Sequence, residues 1–278
     1  MKILIIGKGY VGTRCAQMWK DEAVVAEGRV TNVEDVLKLI DLHKPDAVLN
    51  AAGVRGKPNV DWCETHQLET IVGNTLLPIM IAEACQARGV YLLHIGSGCV
   101  FYGLSPDPAG WRESDFGNPS AVYSKAKYAA DLALSVLPNV GIARIRMPMD
   151  DVPSSFNIID KLAQYEKIID VENSVTVIVD MVSVFYQLLH KRGEGIFHVT
   201  NPGTIKHREI IELYREFVDR SKNPTWISED ELVTAGLAQK KRSTNKLQSH
   251  NLEKLGITMR PIAEAARATM EKYASLVL

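Results

Sequence analysis

The sequence predicts an α/β protein, a doubly wound parallel sheet with a smaller C-terminal lobe. Three observations predict it. The chain opens on Ile3-Leu4-Ile5-Ile6, apolar without alternation, the pattern of a strand covered on both faces. Gly7, Gly9 and Gly12 follow at once, and Val11, Cys15, Met18 and Trp19 then recur at helical spacing. From there to Met147, strand-like and helix-like segments alternate, which is the rhythm of right-handed βαβ units.

Each element has its own justification. Val33 to Leu42 carries helical periodicity, and Pro45-Asp46 then precedes the short buried strand Ala47–Asn50. A helix is expected around Thr75 to Arg88, closed by Gly89, a residue suited to the left-handed position after a helix. The apolar run Val90 to Ile95 stops at Gly96-Ser97-Gly98. Residues 103–120, with Pro106, Pro108, Gly110, Gly117 and Pro119, read as a long loop beside the strand tips. Ala121 to Leu137 reads as a helix and Val140 to Met147 as a strand. Beyond Pro148 the pattern loosens to a helix near Ile158–Glu166 and strands at Val175–Val179 and Ile196–Thr200. Two further helices are expected, near Arg208–Arg220 and Ile262–Tyr273.

At roughly 150 residues per domain, 278 residues make about two lobes. Residues 1–150 form the first, to which the chain returns around 172–200, and residues 151–278 form most of the second. A composition 46% hydrophobic and 23% charged supports a packed core rather than disorder. Lys and Arg total 32 against 33 Asp and Glu, so no basic surplus exists to neutralise phosphates, and no nucleic-acid partner is expected. The run Ile3–Ile6 is too short for a signal segment or a membrane span, so no membrane partner is expected. Cys15, Cys63, Cys85 and Cys99 show no CxxC, which reads as free thiols in a reducing cytoplasm. Cys63 and His66 form a C-x-x-H without a second ligand pair, so no metal is expected.

Gly7-Lys8-Gly9-Tyr10-Val11-Gly12 is a GxGxxG between strand and helix. Glycine permits the tight turn and the close approach of a diphosphate, and the helix N-terminus offers free N–H groups. Glu27 suits a ribose 2′-hydroxyl and Arg29 a 2′-phosphate. The residues leave both dinucleotides open. NADP(H) is the favoured expectation, with NAD(H) not excluded.

Tyr123 and Lys127 stand four apart, on one helix face. Such a pair arises readily by chance; its place after the Gly/Pro-rich loop and the strand ending at Ser97 gives it weight. This order resembles the short-chain dehydrogenase/reductases in their extended, Rossmann-type form. The resemblance implies that Tyr123 protonates a ketone oxygen, that Lys127 lowers the phenol from its usual pKa of about 10, and that Ser97 polarises the same carbonyl. Asn50-Ala51-Ala52-Gly53 resembles the NAAG-type stretch lining the family's cofactor. His94 reads as a hydrogen-bonded core histidine.

Further stretches resemble one branch. Val60-Asp61-Trp62-Cys63-Glu64 is similar to the Val-Asp-x-x-Glu of dTDP-4-dehydrorhamnose reductases. With Gly56–Asn59, Gly98-Cys99-Val100-Phe101, Arg144–Pro148, Tyr165-Glu166-Lys167 and Thr200–Gly203, it resembles the UDP-4-keto-6-deoxyglucose 3,5-epimerase/4-reductases, including the C-terminal part of plant UDP-rhamnose synthases. The resemblance implies a UDP- or dTDP-linked 4-keto-6-deoxyglucose as substrate, epimerised at C3 and C5 and then reduced at C4. It implies Cys99 and Lys161 as the proton-exchanging pair, and Asn59, Asp61, Glu64, Asn201 and Arg242 on the substrate. Ser97 and Cys99, two apart in an extended segment, are expected to point the same way. Two departures stand out: the glycine turn is one residue shorter than the family's usual GxxGxxG, and Ser97 replaces a common threonine. A plain 4-reductase and a non-catalytic NAD(P)-binding regulatory protein are the rival readings, and a homodimer is compatible with each.

Overall fold

Unalternating apolar runs become buried strands in the computed structural model, which describes residues 1–57 and 59–278. The chain proceeds through β1 (Ile3–Ile6), α1 (Tyr10–Trp19), β2 (Ala23–Val25), α2 (Val33–His43), β3 (Ala47–Asn50), α3 (Gln67–Ile71), α4 (Leu77–Arg88), β4 (Tyr91–Ser97), α5 (Val122–Leu134) and β5 (Val140–Ile145). It continues through β6 (Pro148–Met149), α6 (Ile158–Gln164), β7 (Lys167–Ile169), β8 (Glu172–Asn173), β9 (Thr176–Val177), α7 (Ile178–Lys191) and β10 (Gly195–His198). It ends with β11 (Ile205–Lys206), α8 (His207–Phe217), β12 (Thr225–Ile227), α9 (Glu229–Thr234), α10 (His250–Lys254) and α11 (Ile262–Val277).

Two compact units share these elements. The first comprises residues 1–100, 116–144 and 182–197; the second comprises 101–115, 145–181 and 198–278. The main sheet has the order β2-β1-β3-β4-β5-β10, with Ile3 paired in parallel to both Ala23 and Ala47, and Ala47 to Tyr91. The chain steps outward from β1 to β2, then crosses back to β3. The carboxyl ends of β1 and β3 therefore flank the point where strand order reverses, the crevice that binds ligands in open α/β sheets. All four residues of β1 and of β3 are buried, as strands covered on both faces require. Leu4, Val36, Val48, Ile81 and Leu92 belong to the first unit's core, and Met149, Ile168, Val177, Ile210 and Met270 to the second's.

Local signals account for the helix ends. Asn32 caps α2 by accepting from the Asp35 amide at 2.8 Å, and Gly89 closes α4 at φ 64°. Two expectations are corrected. The strand expected at Val175–Val179 ends at Val177, and α7 begins at Ile178; its β-branched opening disguises it as strand. The helix expected from Thr75 starts at Gln67 and runs through a π-turn, Val72–Leu76, where Gly73 and Asn74 are poor helix formers. β2 is only three half-buried residues, too short to register as a pattern. The stretch Gln67–Arg88 is, among the described residues, the one helix long and apolar enough to cross a membrane by length and composition. In this structure α4 packs against α2 and α5 inside the first unit.

Candidate active site

The three glycines after β1 serve three different geometries. Gly7 has φ 116°, and a Cβ there would lie 2.5 Å from the Ala52 nitrogen. A Cβ on Gly12 would fall onto the Gly7 carbonyl oxygen. Both glycines are thus demanded by the protein's own packing. Gly9 is not: its φ is an ordinary −73°, and a Cβ would meet nothing within 4 Å. A glycine whose open side faces no protein atom, at the start of α1, suits close approach by a bound diphosphate. No side chain caps α1 and no acidic residue sits in its first turn, where Tyr10 and Val11 lie. These residues fit a dinucleotide. Glu27 and Arg29 are both exposed, on either side of Gly28 at φ 79°.

The β3 tip is built by hydrogen bonds that turn inward. The Ala51 amide donates to Ile6 C=O at 2.9 Å, and the Ala52 amide to Asn50 Oδ1 at 3.0 Å. Asn50 Nδ2 lies 3.0 Å from His94 Nδ1. An amide NH₂ only donates, so His94 Nδ1 accepts. Burial drives this histidine well below its usual range, and the nearby Lys127 adds to that. His94 is therefore a neutral core group. Asn74, in the π-turn, clasps the following loop from both directions, accepting from the Val54 amide at 3.1 Å and donating to Val54 C=O at 2.5 Å. A Cβ at Gly53 would lie 2.9 Å from Asn74 Oδ1 and 3.6 Å from Lys127 Nζ. Gly56, at φ 69°, leaves no room for a Cβ against the Trp62 ring. Arg55 is held between these two fixed points. Sequence reasoning missed Arg55 and Asn74; a π-turn is a common mark of function but has no sequence signature.

Ser97, Cys99, Tyr123 and Lys127 are brought together in the first unit. Ser97 ends β4 and shares a side-chain hydrogen bond with Tyr123. Gly98–Val100 is a 3₁₀ turn, which corrects the extended segment expected there. The turn folds the Cys99 amide back onto Ser97 Oγ at 3.1 Å, and Cys99 still lies near enough to act electrostatically on Tyr123. Burial raises the phenol, Cys99 adds to that, and Arg55 and the Ser97 hydrogen bond oppose it. The expected lowering by Lys127 is replaced by this balance. Lys127 donates to Ile95 C=O at 2.8 Å; burial brings it down to about 8, against the pull of Asp131 one turn along α5. Asp131 is itself held by Arg144 at 2.8 Å, an ion pair buried on both sides.

The Asn59–Glu64 stretch forms a 3₁₀ turn over Val60–Glu64. Asn59 Oδ1 accepts from the Asp61 amide at 2.8 Å, and Glu64 Oε1 accepts from the Val122 amide at 2.8 Å. Trp62 stacks on His66 at 3.8 Å. Lys161, Asn201 and Arg242 belong to the second unit. Lys161, half-buried, lies on α6, whose cap is Asn157. Asn201 is buried: it donates to Asp180 at 2.7 Å and to Arg260 C=O at 3.0 Å, and accepts from the Val177 amide at 2.8 Å. Its amide thus braces that unit from within. Arg242 is half-buried beside Ser243 and Asn245, both of which bond to Phe101 C=O. Among the described residues no group of three or more His, Cys, Asp or Glu is placed to hold a metal.

Comparison with known proteins gives a consistent answer. Residues 1–275 match the family described as the RmlD substrate binding domain. The chain is 33% identical over 267 residues to a bifunctional dTDP-4-dehydrorhamnose 3,5-epimerase/dTDP-4-dehydrorhamnose reductase of Arabidopsis thaliana, covering 91% of this chain and 89% of that one. A trifunctional UDP-glucose 4,6-dehydratase/3,5-epimerase/reductase of the same plant is 31% identical; the match takes 92% of this chain but 40% of that longer protein. The crystal structure of a UDP-rhamnose synthase from Acanthamoeba polyphaga mimivirus superposes with a TM-score of 0.91 at 28% identity, covering 98% of this chain and 99% of that one.

Proposed function

The chain belongs to the RmlD substrate-binding-domain family, and from that premise we propose that it is an NAD(P)H-dependent reductase of a nucleotide-linked 4-keto-6-deoxyhexose that first epimerises C3 and C5. The observation that carries the reading is the grouping of Ser97, Cys99 and Tyr123, with Lys127 one turn further along the same helix.

Bound NAD(P)H supplies the hydride for C4. The Ser97 hydroxyl and Tyr123 phenol, already hydrogen-bonded, are the donors for the C4 oxygen. Because burial raises the phenol, Tyr123 is protonated at neutral pH, the form that reduction needs. The same two donors hold the enolate oxygen formed when a proton leaves C3 or C5. The Cys99 thiolate takes that proton and Lys161 returns one to the opposite face, so the carbon inverts with no net change in protons. Glycines 7, 9 and 12 and the Asn50–Gly53 tip hold the dinucleotide, and Arg29 favours a 2′-phosphate. Asp61 and Arg242 are read as contacts to the nucleotide sugar.

One incubation in D₂O with UDP-4-keto-6-deoxyglucose, with and without NADPH, tests this. NADPH oxidation with deuterium gained at C3 and C5, the deuterium lost in Cys99→Ala, is expected. Oxidation without deuterium gain leaves a plain 4-reductase. Neither signal, with the dTDP sugar also inert, leaves a nucleotide-binding protein without this activity.

A further inference from the structure

We propose that Glu64 is a positioning residue, its carboxylate holding the first turn of α5 and with it Tyr123. The inference rests on the catalytic reading of Tyr123 and deepens it. The N-cap residue of α5 supplies no side-chain cap. Ala121 occupies the capping position at φ −78° and ψ 148° but has no side-chain acceptor, and no acidic residue lies in the first turn. The first helical residue is Val122 and the second is Tyr123. The first N–H groups of a helix have no partner within it, and an uncapped end frays. Here the acceptor comes from 58 residues away: Glu64 Oε1 takes the Val122 amide at 2.8 Å. A carboxylate at that end also meets the positive pole of the helix.

Glu64 is delivered from a fixed support. Its turn is capped by Asn59 at the Asp61 amide, and Trp62 in the same turn packs against Gly56. Fraying of α5 would swing Tyr123 away from Ser97. A misplacement of about 1 Å can cost on the order of 100-fold in rate.

The test sets Glu64→Ala, Glu64→Gln and Glu64→Ala/Ala121→Ser against wild type and Tyr123→Phe. Steady-state kinetics are measured with nucleotide sugar and NADPH, and amide hydrogen exchange without any ligand. Glu64→Ala is expected to lower kcat at least about 10-fold, with KM for the sugar little changed and exchange over residues 121–126 faster. Glu64→Gln, whose amide oxygen can accept the same bond, is expected to stay within about threefold of wild type. Ala121→Ser, which restores a local cap, is expected to recover much of the lost kcat and the exchange protection. A raised KM with kcat and exchange unchanged would make Glu64 a substrate contact and overturn the proposal. So would a Glu64→Gln as slow as Glu64→Ala, or a double variant that recovers nothing. Should Glu64→Ala not fold, Glu64→Gln and the double variant decide. Full activity in Tyr123→Phe would bring down the catalytic reading and the proposal together; an inactive Tyr123→Phe beside a fully active Glu64→Ala would bring down the proposal alone.

Discussion

At the scale of single residues, the site is a contest between burial and neighbouring charge. Lys127 is the clearest case. Burial lowers it from 10.5 to about 8 in the folded protein, while the unfolded chain keeps the ordinary value. Between pH 8 and 10.5 the unfolded state therefore binds more protons, and stability rises with pH across that window. The cost of burying the ammonium, at most about 3 kcal/mol, is fully present below pH 8. Urea unfolding at pH 7.5 and 9.5 should show a pH-dependent gain in wild type that is absent in Lys127→Met. Arg55 acts in the other direction, opposing the burial that raises Tyr123. Arg55→Met is expected to lower kcat roughly 10-fold, because a phenol raised still further is a poorer proton donor. Arg55→Lys, which keeps a positive charge there, should recover much of the rate. The Tyr123–Lys127 spacing and its place after the strand ending at Ser97 were legible in the sequence, whereas Cys99 was marked only by the resemblance of the Gly98–Phe101 stretch. Arg55 and Asn74 were not legible: what makes them matter is a clasp between Val54 and a π-turn 20 residues on, which no local spacing encodes.

At the scale of elements, the glycine turn separates what the fold needs from what a ligand needs. Gly12→Ala must displace the Gly7 carbonyl and should cost about 1–3 kcal/mol in denaturant unfolding, since overpacking has no relief there. Gly9→Ala meets no protein atom and should leave stability within about 1 kcal/mol. In a fluorescence titration it should nevertheless weaken NADPH binding at least about 10-fold, because a methyl group fills the space left for the diphosphate. β1 and β3 were readable residue by residue, since the unbroken apolar runs Ile3–Ile6 and Ala47–Leu49 leave few alternatives. α7 was not. Val175-Thr176-Val177-Ile178-Val179 has strand chemistry throughout, and only the tertiary setting turns the chain into a helix midway. The 3₁₀ turn at Gly98–Val100 was equally hidden, although it is what bends the Cys99 backbone onto Ser97.

At the scale of the molecule, every residue read as cofactor-binding except the exposed Arg29 belongs to the β1, β3 and α5 ends of the first unit, and Arg29 lies in that unit too. NADPH added without sugar should slow amide exchange chiefly in peptides covering residues 5–15, 48–56 and 120–130. Equal protection throughout the second unit would contradict that assignment. The first unit is assembled from three separated stretches, the last of them residues 182–197. Its sheet has β10 beside β5, so the final edge comes from residues synthesised some fifty positions after β5. On the ribosome, a chain emerged only to residue 150 would present β5 as an open edge, unpaired along one side, without α7. Nascent chains stalled there should be held by chaperones or clipped, and those stalled beyond residue 200 should resist protease across the first unit. The protein thus has a point in its synthesis before which its nucleotide-binding half is not a finished object.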